Sequence, residues 1–475
     1  RVELWNKIMT SFKSAEVSQV LAVWNFDVFE SAILSAYQLY LIAKDSSLLY
    51  EMFSSAEQSK NAELMKYNIN SSGNNRVQNT FRYDTTLSVQ DIQSTLTSDR
   101  ALIEYSQCTD NIISKNFAFV ITKNLFRIIP FETAANSDSA VAQYYEAIRR
   151  NEVNKYSRLS HSVYNEILKP AIAQLPKSIR HLTIIPDKRF SHFAFDALVI
   201  DTGNGFSTYR ELKYLSDQYT ISYSLGATVN EILKKDKSNA TGNIVAFAPS
   251  FTSLSSLPFS KIALSELQRK VEGKYYFNDK ASVGSFLQSA GSASVLHLAT
   301  HAVADLSNPN ESKVYFGDKE FLTLDSVYHL KINAELVVAS ACETAIGKEF
   351  YAEGMKSFAR AFTYAGSKST ITTLWKVDDK ATAEVFAKFY NYLLDGDAKD
   401  DALQKAKLDY RRNCKTDDEA NPFYWSGIIL TNDVSPIELK KKHSYVLALA
   451  LSLVGLVGGV GFWRKKVLTK RRIGR

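Results

Sequence analysis

Apolar residues along this chain keep two different rhythms, and the change between them marks the elements. Through FDVFESAILSAYQLYLIAK they recur at helical spacing, at Phe29, Ile33, Ala36, Tyr37 and Tyr40, which predicts a helix. Asp45-Ser46-Ser47 supplies a turn and a cap, and LLYEMFSSAEQSKNAELM a second helix. The stretch 67–77, YNINSSGNNRV, is polar and rich in Gly and Asn, so it reads as a linker. Next comes LSVQDIQSTL, an amphipathic helix with Ser88 as its cap. ALIEYSQ and FAFVITKNLFRIIPF read as strands, the latter a pair joined at Lys-Asn. Residues 139–177 are helical, and HLTIIPD is a buried strand followed by FSHFAFDAL and YTISYSLG.

Past residue 241 the rhythm alternates between short apolar runs and helices. The predicted order is strand 244–248, helices near 262–271 and 280–289, strands 295–299 and 336–341, helix 352–365, strand 369–374, helices 380–394 and 400–412, and strand 426–430. The runs VLHLA and LVVASA do not alternate, which is the mark of a strand buried on both faces of a parallel sheet. Strands alternating with helices predict a parallel or mixed α/β sheet with helices on both faces. Met355, Phe358, Ala359, Phe362 and Ala365 form the core face of helix 352–365.

Composition narrows the function. The 475 residues are 45% hydrophobic, which is ordinary for a globular protein, and are enough for two to four domains. Net charge is +7, but much of it flanks one apolar segment, so it is no nucleic-acid signal. Cys108, Cys342 and Cys414 are too few and scattered for a disulfide framework, and no His/Cys spacing suits zinc. Neither a metal nor a cofactor is expected. The chain opens at Arg1, as a processed or truncated product would.

Tyr445–Trp463 is 19 residues without a charge, close to the roughly 20 a bilayer-spanning helix needs. Lys440–Lys442 precede it and seven basic residues follow, from Arg464 to Arg475. This predicts a single-pass C-terminal anchor with a basic tail at 464–475. Its sidedness stays open: the basic tail points to a cytoplasmic end, while a free nucleophilic cysteine suits a reducing compartment for the rest.

Chemistry concentrates where two buried strands end. One leads to His301 and the other to Cys342. In open parallel sheets functional groups gather at the carboxyl ends of neighbouring strands. A thiol beside an imidazole there is a nucleophile–base pair, the thiol ionised by its cationic partner. The backbone N–H groups of Cys342 and Ala302 are candidate oxyanion donors. His297, inside its strand, reads as a satisfied core histidine. Asp187 and His192 read as parts of a turn and an aromatic patch, and Phe423-Tyr424-Trp425 as packing.

These motifs resemble the CHAT family, caspase-like peptidases related to separases and often found with tetratricopeptide repeats. The matching stretches are HLATHA with His301, VVASACETAIGK with Cys342, EGMKSFARAFTYAGSKSTITTLWKVDDKAT from Glu353, and NPFYWSGIIL from Asn421. Upstream, FSSAEQSKNAEL, ALIEY, IIPDKRFSHFAFDAL, YTISYS and AFAPSF match too, so the resemblance spans roughly 50–432. It implies a His301–Cys342 dyad and an upstream half that is a degenerate copy of the catalytic one. Asp378, Asp379 or Glu343 would line the pocket for an Arg or Lys before the cut, with Trp375 packing the groove wall. Ala302 and Ala345 stand where the pattern leads one to expect glycine.

The expected organisation is therefore a helical, tetratricopeptide-like segment at 1–66, a linker at 67–87, an N-terminal half at 88–240, a caspase-like catalytic half at 241–432, and the span at 444–463. The expected function is a membrane-anchored cysteine endopeptidase acting on protein substrates. The alternatives are a non-cleaving scaffold and a peptidase latent until a protein partner docks on the N-terminal helices.

Overall fold

The five residues of Ile244–Ala248 are all buried, and they divide by parity. Ile244, Ala246 and Ala248 pack with Leu264, Leu267, Val385 and Phe386, whereas Val245 and Phe247 pack with Phe286, Val327 and Phe362. Successive strand side chains point to opposite faces, so an unbroken apolar run needs cover on both. Each such Val, Leu or Phe contributes roughly 1.5–3 kcal/mol by leaving water. The same division governs the neighbouring strands: Leu296, Leu298 and Val337 go to one face, Val295 and Val338 to the other.

The computed structural model describes residues 15–65, 86–109, 114–133, 138–202, 208–236, 242–303, 311–339 and 358–442. In chain order its strands are β1 (Arg100–Thr109), β2 (Ser114–Thr122), β3 (Leu125–Phe131), β4 (His181–Ile185), β5 (Val199–Asp201), β6 (Lys213–Tyr214), β7 (Thr220–Tyr223) and β8 (Ile244–Ala248). They continue as β9 (Gly273–Phe277), β10 (Val295–Leu298), β11 (Ala302–Val303), β12 (Lys313–Tyr315), β13 (Phe321–Thr323), β14 (Leu336–Ala339), β15 (Ser369–Thr373) and β16 (Ile428–Asn432).

Eleven of these strands make one sheet in the order β3-β2-β1-β4-β7-β16-β15-β14-β10-β8-β9. The strands β1, β4, β7 and β16 run parallel to one another, as do β15, β14, β10, β8 and β9. The two blocks meet antiparallel at β16 and β15, paired from Ser369↔Asn432 to Thr373↔Ile428. The carboxyl ends of β8, β10 and β14 therefore share one rim, opposite to the rim where β1, β4 and β7 end.

Helices cover both faces. Pro258–Lys270, Asp379–Leu394 and Lys399–Asn413 lie on one face of the second block, and Val283–Ser289, Leu324–Tyr328 and Phe358–Tyr364 on the other. The helices Ala15–Ala43 and Ser47–Met65 cover the first block, where Ile33, Leu34, Met52 and Phe53 pack on Leu102, Phe117 and Phe119. Charges fasten them there. Glu57 accepts the N–H of Ala227 and Thr228 at the start of helix Ala227–Lys235, Lys60 pairs with Asp187 at 3.0 Å, and Glu30 pairs with Lys188.

One expectation is overturned. Among the described residues no helix is long and apolar enough to cross a membrane, and Tyr445–Trp463 lies outside those residues. The longest described helix, Ala15–Ala43, carries Glu16, Asp27 and Glu30, and its buried positions face the sheet rather than lipid. Lys440–Lys442, read as the flank of a span, are instead stitched to the fold. Lys440 N–H donates to Gly242, Glu272 N–H donates to Lys440, and Lys442 N–H donates to Lys270. The C-terminal transmembrane helix, the membrane contact through Tyr445–Trp463 and the single-pass localisation are therefore withdrawn.

Candidate active site

The register of β10 on β14 sets the site. The two strands pair in parallel from Val295↔Leu336 to Leu298↔Ala339. His301 follows the last paired residue of β10 by three positions, and Cys342 follows that of β14 by three. The two neighbouring strands thus end side by side on one rim, and in the sequence the two expected residues follow those ends at equal offsets. Cys342 and Glu343 lie outside the described residues, as do 352–357 of the expected helix 352–365.

His301 is held at both its main chain and its ring. The N–H of Tyr315 donates to the His301 carbonyl at 2.8 Å, and the Thr300 hydroxyl donates to the Tyr315 carbonyl. The ring Nε2 lies 2.7 Å from the Ser255 carbonyl oxygen, and the ring meets Phe251 edge-on with centroids 4.7 Å apart. A carbonyl can only accept, so Nε2 carries the hydrogen and Nδ1 of the neutral ring keeps its lone pair. Ala302 sits in β11, paired with Val314, with its side chain buried.

The remaining residues singled out by the sequence are placed as follows. His297 is 3% exposed, its Nδ1 lies 2.7 Å from the Tyr390 hydroxyl, and burial pulls it down to about 3, so it stays neutral in the core. Asp378 caps helix Asp379–Leu394 by accepting the N–H of Ala381 at 2.8 Å. Asp379 reaches across to the start of helix Pro258–Lys270, accepting the N–H of Phe259 and Ser260 at 2.8 and 3.1 Å. Trp375 is buried, donates to the Phe423 carbonyl and packs on Gly427, where a Cβ would come within 2.7 Å of its ring. Asp187 accepts the N–H of Gln107 and pairs with Lys60.

Two other cysteines are described, and neither suits a nucleophile. Burial pushes the Cys108 thiol up to about 12 and the Cys414 thiol up to about 11, so both hold their protons at neutral pH. His181, Asp400 and Asp401 come close enough to hold a metal ion. Asp400, however, is already paired with Arg100 at 2.8 Å and with His181 at 3.2 Å, and Asp401 accepts from Thr220. The cluster reads as an ion-pair network.

Sequence reasoning did not find Ser255 and Phe251 as partners of the His301 ring. The signal was present: the polar stretch SFTSLSSL follows β8, and loops at the carboxyl ends of adjacent parallel strands converge on one rim.

Comparison with known proteins bears on the family and the fold. The CHAT domain matches residues 157–433, more than half of the chain. No curated protein matches. Among solved structures, a crystal structure of the Saccharomyces cerevisiae separase–securin complex superposes with a TM-score of 0.53 at 10% identity, covering 86% of this chain and 36% of that one. A second structure of that complex gives 0.48 at 11% identity, covering 82% and 34%. This chain thus spans about a third of the length of the separase it resembles, and the likeness is one of fold. The chain belongs to the CHAT domain family and carries its caspase-like, separase-related fold.

Proposed function

We propose that this protein is a caspase-like cysteine endopeptidase whose dyad is His301 and Cys342. The observation that carries the proposal is the register of β10 on β14: the two strands end side by side on one rim, each three residues in sequence before a member of the pair. The Ser255 carbonyl supports it, because it anchors Nε2–H and leaves Nδ1 to exchange a proton. In the proposed reaction the Cys342 sulfur attacks the scissile carbonyl carbon after its proton passes to His301. Backbone N–H groups of Cys342 and Ala302 hold the oxyanion. His301 returns the proton to the leaving amine. Water then attacks the thioester, giving one proton to His301, and the acid product leaves with Cys342 restored. No metal or cofactor enters these steps.

For the residue before the cut, a carboxylate would select Arg or Lys. Asp379 is committed to the backbone of Phe259 and Ser260. Asp378, exposed and bonded through Oδ1, and Glu343 are the better candidates. The test is a reactive peptide probe with a fragment library. Wild type labels at Cys342 and cuts, and Cys342→Ala does neither. Unchanged cleavage by Cys342→Ala would overturn the proposal.

A second reading draws on the N-terminal helices, where Leu39 is 54% and Ile42 82% exposed. A protein partner docking there would suit either a non-cleaving scaffold or a latent peptidase. The structurally similar separase was solved in complex with securin. A scaffold binds its partner equally well as His301→Ala and takes up no probe, whereas a latent peptidase labels faster when the partner is added.

A further inference from the structure

We propose that Asp318 positions His301 through the Phe251–Ser255 loop, so that one hairpin, β12–β13, sets both the main chain and the ring of that histidine. The inference rests on the dyad reading above and adds to it a residue that lies between His301 and Cys342 in the sequence.

The hairpin holds His301 from two sides. On one side β12 takes the main chain: Tyr315 N–H donates to the His301 carbonyl at 2.8 Å. On the other side the turn between β12 and β13 presents Asp318. Its Oδ1 accepts the N–H of Thr252 at 3.2 Å, Ser253 at 2.8 Å and Leu254 at 3.2 Å. Its Oδ2 accepts the N–H of Thr252 at 2.9 Å and the Thr252 hydroxyl at 2.5 Å. Three consecutive backbone N–H groups closing on one carboxylate form an anion nest, and charge-assisted bonds of this kind are the strong ones. The next residue, Ser255, offers its carbonyl to Nε2 of His301, and Phe251 lies against the ring.

Little else fixes this loop. Thr252, Ser253 and Ser255 are exposed, so buried apolar area contributes little to its order. The turn that carries Asp318 is well anchored: Phe316 N–H donates to the Glu320 carbonyl at 2.7 Å, and the Glu320 side chain accepts the N–H of Val283 at 3.0 Å. The bond from the Thr252 hydroxyl, then those from the loop N–H groups, hold the Asp318 carboxyl well below its ordinary range, so the grip persists through neutral and mildly acid pH. Without the carboxylate the Ser255 carbonyl loses its fixed place, and the imidazole is free to exchange tautomers.

The test uses the full chain with 15N-labelled histidine, the His301 signal being identified by its loss in His301→Gln. Ring nitrogen shifts report the tautomer in a Cys342→Ala background, where no thiol proton reaches the ring, and iodoacetamide reports the alkylation rate of Cys342 in chains that keep it. With Asp318 intact the ring should hold the Nε2–H tautomer. Asp318→Ala should average the two tautomers and slow alkylation on the order of tenfold to a hundredfold, the scale of a small misplacement at a reacting centre. Asp318→Asn, which keeps an accepting oxygen, and Thr252→Val, which loses one bond, should fall between. An unchanged tautomer in Asp318→Ala overturns the positioning role. If that variant does not fold, an unchanged tautomer in both milder variants overturns it equally. A shifted tautomer with an unchanged alkylation rate upholds the positioning and sinks the dyad instead.

Discussion

Nε2 of His301 lies 2.7 Å from the main-chain carbonyl of Ser255, so the residue that orients the imidazole does so without its side chain. Two substitutions in the same loop should therefore behave differently. Ser255→Ala should leave the alkylation rate of Cys342 within about twofold of wild type. Phe251→Ala removes an edge-to-face contact worth roughly 0.5–1.5 kcal/mol and should slow alkylation by about two- to tenfold. Rates measured side by side decide it, and a larger effect from Ser255→Ala would contradict the geometry.

His297 makes an acid-dependent contribution to stability. Burial lowers its folded pKa to about 3, below the unfolded value near 6.5. Above pH ~6.5 the ring is neutral in both states and the contribution is whole. As pH falls, only the unfolded chain takes the proton, and stability drops by about 1.4 kcal/mol per unit. Urea unfolding at pH 7 and pH 5 should show wild type losing about 2 kcal/mol more than His297→Gln. Parallel losses in the two proteins would show that the ring is not held neutral.

Lys399 and Asp433 form a buried pair, 2.9 Å apart, where the chain leaves β16. Burial works to raise the Asp433 pKa, but the charge of Lys399 and the bonds from Ser435 and Lys399 bring it below the ordinary value. Its contribution is present above pH ~3.9 and is lost as pH falls through the folded value. Lys399→Met strands the carboxylate and should cost about 3–5 kcal/mol at pH 7, read from the urea midpoint. Replacing both partners with apolar residues should recover part of that loss.

Glu104 carries the opposite sign. It is buried beside Glu57, and burial first, then the Glu57 charge, raises its pKa well above the ordinary range. Its contribution is whole below pH ~4.3 and is lost as pH rises toward the folded value. Glu104→Gln should remove this slope. Denaturant titrations at pH 5 and pH 8 should show the variant gaining on wild type as pH rises, and parallel curves would show Glu104 ionised in the fold.

The two strands of the site were legible because nothing in VLHL or LVVA alternates, and only a strand with two buried faces tolerates that pattern. The longer helices of the second block were legible from their spacing, whereas Leu324–Tyr328, at five residues too short to show a period, was not. Edge strand β9, GKYYF, was not, since Lys274 and the half-exposed tyrosines give it no apolar run. The reversal of strand direction at β16 and β15 has no local signal, because the paired residues lie more than fifty positions apart in the sequence. Asp379 looked like a pocket residue beside Asp378; that its carboxylate caps a helix 120 positions upstream is a tertiary fact. The lysines of 440–442 misled because charge beside an apolar run reads as a membrane flank, while their backbone bonds to Gly242, Lys270 and Glu272 beside the sheet.

The central claim is that His301 and Cys342 act on each other. Its most direct test is the pH dependence of Cys342 alkylation in wild type and His301→Ala, resolved by peptide mapping. The account predicts a thiolate already present near neutral pH in wild type, and in the variant a rate that follows an ordinary thiol near 8.5 and falls roughly 10²–10⁴-fold in peptide cleavage. Superimposable profiles for the two proteins would contradict it.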